Sequence, residues 1–182
     1  MSAKEEISED QDRRGFFAKV SVALGALLAL FPLGAGIGIL FDPLRRKSER
    51  GDWIAIAPLS ALPEDGSPVR FPVILKESID AWTKKKNVPI GAVYLKRVNG
   101  GGVIAFNVTC PHLGCAIDFR SAERDYFCPC HNSSFGLDGS ISNPDSPSPR
   151  PMDSLQTKVE KGEIKVKYLD FRAGVKDKIP IA

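Results

Sequence analysis

The sequence predicts an all-β domain of antiparallel sheets behind one N-terminal transmembrane helix. Three observations carry that expectation. Val20 to Phe41 contains no charged residue, short alternating apolar stretches separated by turn residues begin at Trp53, and no helix-period pattern follows Phe41. The chain after Asp52 is roughly 130 residues long, the usual size for a single core.

At about 1.5 Å of rise per residue, the uncharged run reaches roughly 33 Å as a helix, enough for a hydrocarbon layer of about 30 Å. A cleaved signal peptide would need a small-x-small site and a mature start, where "GILFDPLRRK" stands instead. The run is read as a retained anchor, with Gly34 and Gly38 forming a small-xxx-small pair that lets another helix approach. Basic residues flank both ends, Arg13, Arg14 and Lys19 before it and Arg45, Arg46, Lys47 and Arg50 after it, so counting them does not orient it. The stretch "DRRGFFAK" resembles a twin-arginine export signal, which places the N-terminal tail in the cytoplasm and the C-terminal domain outside. The chain divides into a tail at 1–19, an anchor at 20–41, a polar tether "DPLRRKSERGD" at 42–52, and a folded domain at 53–182.

Within that domain, "WIAIA" alternates from Trp53, and "VRFPVIL" puts Val69, Phe71, Val73 and Leu75 on one face. "GAVYLKRV" and "VIAFNV" flank a glycine turn at Gly100 to Gly102, and "DYFC" leads into the second cysteine pair. "GLDGS" reads as a hairpin tip, and "LQTKVEKGEIKVKYL" as two strands around Lys161 and Gly162. Lysine plus arginine is 25 against 22 for aspartate plus glutamate, scattered along the chain, which argues against nucleic acid as a partner.

All four cysteines and both histidines fall between Cys110 and His131, in "CPHLGC" and "CPCHNSSF". Cys110-x-His112 and Cys128-x-x-His131 are two short chelating pairs, each offering one thiolate and one imidazole. Cys115 and Cys130 are left over, and four cysteines allow three disulfide pairings. Two cysteines with two histidines also suit structural zinc, but zinc sites usually group like with like, whereas here each loop carries one of each. A two-iron cluster fits the alternation if both cysteines go to one iron and both histidines to the other.

These residues resemble the Rieske iron-sulfur proteins, and within them the subunit of bacterial cytochrome bc-type quinol:cytochrome c oxidoreductases. The pattern C-x-H-L-G-C is met by Cys110, His112, Leu113, Gly114 and Cys115, and C-P-C-H-x-S by Cys128, Pro129, Cys130, His131 and Ser133. The resemblance implies a β-sandwich with a small cluster-binding subdomain. It implies a 2Fe-2S cluster with Cys110 and Cys128 on the buried iron, His112 and His131 on the outer one, and a Cys115–Cys130 disulfide. "SPSPRP", Ser146 to Pro151, becomes a third loop covering the cluster.

The implied activity is electron transfer in a proton-translocating respiratory complex, from quinol at a cytochrome b subunit to a c-type cytochrome. His131 and Leu113 would face the quinol, and the tether would let the head swing between partners. The implied place is the bacterial inner membrane, single-pass, with the domain on the periplasmic or outer side. Two ferric ions, two sulfides and two thiolates sum to zero charge when the histidines are neutral. Such centres therefore accept electrons more readily than all-thiolate ones.

High-potential members carry a hydroxyl-bearing serine two residues after the second histidine and a tyrosine four after it. Ser133 fills the first place and Phe135 stands at the second, which implies a lower potential and suits menaquinol. Pro111 and Asn132 depart from the frequent threonine and glycine. The alternative reading is the small subunit of an arsenite oxidase-like molybdoenzyme. An aromatic-ring oxygenase ferredoxin and a zinc-stabilised binding module are further rivals.

Overall fold

The computed structural model describes residues 3–45, 52–80, 83–98 and 100–181. Two compact units make up the chain, one before and one after the Lys47–Ser48 bond. The first is helix α1, Ala3–Arg45, and within it Arg13–Asp42 is long and apolar enough to cross a membrane, with a mean hydropathy of 2.2. Leu28, Phe31 and Leu40 are all exposed on it, so the stretch presents apolar side chains outward. Lipid is the surrounding that such a surface requires, and a helix meets its own backbone hydrogen bonds there. Of the tether expected at 42–52, α1 takes Asp42 to Arg45, where Leu44 and Arg45 are good helix formers, and residues 46–51 lie outside the described residues.

The second unit begins with β1 (Trp53–Pro58), a 3₁₀ turn (Leu59–Ala61), β2 (Val69–Asp80), β3 (Thr83–Val98) and β4 (Gly102–Asn107). It continues through β5 (Asp118–Arg120), β6 (Asp125–Cys128), β7 (Ser133–Phe135), β8 (Ser154–Glu160), β9 (Glu163–Lys167), β10 (Asp170–Phe171) and β11 (Pro180–Ile181). Six strands form one antiparallel sheet in the order β1-β9-β8-β4-β3-β2, and it curls until β1 and β2 approach each other. The domain is all-β and antiparallel as expected, with its main core enclosed by a single nearly closed sheet. β5, β6 and β7 form a separate three-stranded sheet, and β10 pairs with β11.

β3 and β4 face two cores at once, which is why their sequences read as nearly continuous apolar runs. Val93, Leu95, Val103 and Ala105 point into the core enclosed by the curled sheet. Their neighbours Tyr94 and Phe106, opposite each other in register, join Val108, Ile117, Tyr126, Phe135 and Met152 in a second core shared with the three-stranded sheet. Cys110 and Cys128 belong to that second core.

Turn chemistry follows the sequence closely at β8–β9. Glu160 pairs with Glu163, and the two residues between them, Lys161 and Gly162, both have positive φ, the arrangement that matches strand twist in a two-residue hairpin. "GLDGS" forms a tip bracketed by the Phe135–Ile141 bridge. Pro72 lies on β2, an edge strand, where its missing N–H breaks no ladder. Beyond the core, β2 and β3 continue as a ribbon in which Glu77 faces Lys86 and Ile79 faces Lys84.

The proline-rich segment is held by a buried ion pair. Arg150 and Asp153 side chains are only 6% and 5% exposed and meet through two hydrogen bonds of 3.0 and 2.8 Å. Arg150 also donates to the carbonyl of Val175 at 2.6 Å, and the Asp153 carbonyl accepts from the Asn107 N–H at 2.8 Å. The pair thus ties the Ser146–Pro151 loop to the C-terminal segment and to the end of β4. Removing one partner strands a buried charge, so Asp153→Ala is expected to cost about 3–5 kcal/mol. Guanidinium denaturation of the detergent-solubilised chain measures this, and replacing both partners by apolar residues should recover much of the loss.

Candidate metal centre

The first cysteine loop leaves β4 and returns to β5. Its neck is closed by the Thr109–Ala116 bridge and by the Ile117 N–H donating to the Val108 carbonyl at 2.8 Å. Inside the loop, the Cys110 N–H donates to the Cys115 carbonyl at 2.7 Å and the Gly114 N–H to the Cys110 carbonyl at 2.9 Å. That tight turn puts Gly114 at φ +80°, a conformation that favours glycine. Buried Asn107 steadies the base, accepting from the Thr109 N–H at 2.9 Å and donating to the Leu169 carbonyl at 3.0 Å and to Asp170 Oδ1 at 3.2 Å. From the C-terminal segment, the Gly174 N–H donates to the Pro111 carbonyl at 2.9 Å.

The second loop is the tip of the β6–β7 hairpin. Cys128 pairs with Ser133, and Pro129 to Asn132 lie beyond that last rung. Asn132 has φ 60°, the left-handed region that asparagine tolerates better than most side chains. This is the physical content of finding asparagine where glycine is frequent.

A disulfide joins Cys115 to Cys130 across the loops, with their Cα atoms 6.6 Å apart. Cys110 and Cys128 are free and buried, while His112 is half-buried and His131 exposed. The two imidazole rings lie 4.7 Å apart between centroids, nearly perpendicular at 85°. Burial pushes the Cys110 thiol up to about 11, the His112 backbone pulls the other way, and the adjacent Cys128 sulfur adds to the rise. A bound cation supplies the positive charge that buried thiolates otherwise lack. Leu113, at 62% exposed, caps the first loop.

The sulfurs of Cys115, Cys128 and Cys130 lie within 4.8 Å of one another. Two of these three are bridged to each other and have no thiolate to give. Among the cysteines and histidines, the donors that remain are Cys110, His112, Cys128 and His131, thiols inside and imidazoles outside.

Ser133 is fully buried; its hydroxyl reaches no oxygen or nitrogen acceptor among the described residues and lies by the Cys110 sulfur, whose ionisation it favours. A buried hydroxyl aimed at a ligand sulfur is placed to donate to sulfur, and a sulfide cluster offers further acceptors of that kind. The two buried cysteine sulfurs, the two imidazoles nearer the surface and this buried hydroxyl together fit a 2Fe-2S cluster. Phe135 is also fully buried, on the same strand two residues on.

Sequence reasoning passed over Tyr126, whose buried hydroxyl is likewise without a partner among the described residues and whose ionisation burial opposes. It also passed over Asn107, Arg150 and Asp153. A single asparagine in an apolar strand, "VIAFNV", was the one available signal.

Residues 52–161 match the Rieske [2Fe-2S] domain. The chain is 28% identical over 155 residues to the menaquinol:cytochrome c reductase iron-sulfur subunit of Geobacillus thermodenitrificans, covering 84% of this chain and 88% of that one. It is 28% identical over 151 residues to the cytochrome b6-f complex iron-sulfur subunit of Chlorobaculum thiosulfatiphilum, covering 83% and 72%. Among solved structures, a plasma membrane Rieske protein of the cyanobacterium Synechocystis PCC 6803 is 31% identical, with a TM-score of 0.39 over 51% of this chain and 87% of that one. The domain match spans more than half of the sequence, and the chain belongs to the Rieske [2Fe-2S] family, whose cofactor is a two-iron, two-sulfide cluster.

Proposed function

We propose that this chain is the electron-transfer subunit of a membrane quinol:cytochrome c oxidoreductase, taking electrons from quinol at a cytochrome b subunit and handing them to a c-type cytochrome. The split in burial carries the reading: two free thiols lie inside the domain and two imidazoles lie at its surface. The names of the relatives in Geobacillus and Chlorobaculum support the same assignment. α1 serves as a retained single-pass anchor, and "DRRGFFAK" supports export of the domain to the outer side.

When bound, the 2Fe-2S cluster supplies one-electron acceptance and return. Cys110 and Cys128 would hold one of its irons, and His112 and His131 the other. The disulfide between Cys115 and Cys130 keeps the two loops from parting. His131, exposed and bound through one ring nitrogen, keeps the other to take the proton of a quinol hydroxyl. Leu113 offers the apolar contact against which a quinol pocket can close. Ser133 gives its hydroxyl to a cluster sulfur, and Phe135 has none to give, which holds the midpoint potential in a range suited to menaquinol.

Affinity purification of the tagged chain from native membranes tests the assignment. A co-purifying b-type cytochrome is expected, and a molybdenum subunit in its place would overturn it. Phe135→Tyr is expected to raise the midpoint in redox titration while leaving the iron content unchanged. The wild-type midpoint is expected to fall as pH rises from about 6 to about 10, because the electron and the proton on His131 favour each other. A flat profile would remove the proton-taking role.

A further inference from the structure

The proposed chemistry uses Cys128 as a ligand and the Cys115–Cys130 bridge as a passive tie, yet their three sulfurs are mutual neighbours within 4.8 Å. A free thiol beside a disulfide is a nucleophile beside its electrophile. We infer that Cys128 is an internal attacking thiol, and that in the metal-free chain it exchanges with the Cys115–Cys130 disulfide. The inference rests on the reading of Cys128 as a cluster ligand, since ligation is what silences it.

In the exchange, the Cys128 sulfur attacks Cys115 Sγ. The Cys115–Cys128 bond forms, the Cys115–Cys130 bond breaks, and Cys130 leaves. The proton given up by Cys128 ends on Cys130. One disulfide is lost and one gained, so no outside oxidant or reductant takes part.

Two features set the direction of attack. Cys130 is exposed, so as a leaving thiolate it meets water at once, whereas Cys115 is half-buried. Attack on Cys130 would instead close a ring across Pro129 alone, whose φ is fixed by its own ring. Cys128 ends β6 and Cys130 lies in the loop beyond the Cys128–Ser133 rung, so the exchange moves the hairpin tip and leaves the strands in register.

The consequence is mutual protection. Metal on Cys128 keeps the native bridge, and loss of the metal removes Cys128 from the donor set by locking it into a disulfide. Cys130, freed, stands on the exposed loop where it does not replace the buried sulfur. The metal-free chain would then refuse a new cluster until a thiol reductant reopened it.

Disulfide mapping tests this without reference to turnover. The full chain in detergent is stripped of metal with a chelator under anaerobic, non-reducing conditions, held at about pH 8, quenched with acid and alkylated with N-ethylmaleimide in denaturant. Over the minutes-to-hours scale of uncatalysed disulfide rearrangement, label at Cys130 is expected to rise at least about tenfold above the metal-loaded chain quenched alongside, with matching loss at Cys128. Cys128→Ser should keep the Cys115–Cys130 bridge and show no such rise. Label confined to Cys110 and Cys128 after hours would overturn the exchange. A wild-type chain that never carries iron would instead overturn the ligand reading, and the mapping would still decide whether the exchange occurs.

Discussion

Two free thiols buried together in an apolar core are the constraint around which this domain is built. Cys110 and Cys128 are rooted in an apolar core with Tyr94, Phe106, Ile117 and Phe135, and burial there pushes the Cys110 thiol up. His112, two residues after Cys110, is half-buried, and His131, three after Cys128, is exposed. On the proposed ligand set, a group bound there would be held unequally, by buried sulfur on one side and by reachable nitrogen on the other. The proposed ease of reduction and access to a proton both rest on that inequality.

Holding two loops in this relation requires rigidity beneath them, and the fold supplies it where β3 and β4 pass between two cores. β3 and β4 serve the enclosed core on one side and the cysteine core on the other. Asn107, the last residue of β4, converts strand order into loop order by bonding the neck of the first loop and the C-terminal segment together. The Arg150–Asp153 pair extends that frame to the proline-rich loop. The disulfide then joins tips whose bases are already fixed.

The parts of this arrangement legible in the sequence were those governed by short-range chemistry. Chelating spacing announced the two loops, an uncharged run announced the helix, and Lys161–Gly162 announced a tight hairpin. The β2–β3 ribbon past Leu75 gave no signal, because with both faces toward solvent its residues need not alternate. β5, β10 and β11 are too short for any period to show. "SPSPRP" read as a covering loop, and nothing in it revealed that Arg150 is buried, since its partners Asp153 and Val175 are chosen by tertiary structure. Single-sheet closure was equally hidden, because strand pattern fixes which residues face inward and not how far a sheet curls.

Electron paramagnetic resonance of the dithionite-reduced chain, prepared with and without isotopically labelled histidine nitrogen, tests the unequal grip most directly. The account predicts a low average g with magnetic coupling to nitrogen from two histidines. An iron-free chain, or a reduced iron signal with no histidine nitrogen coupled to it, would contradict it.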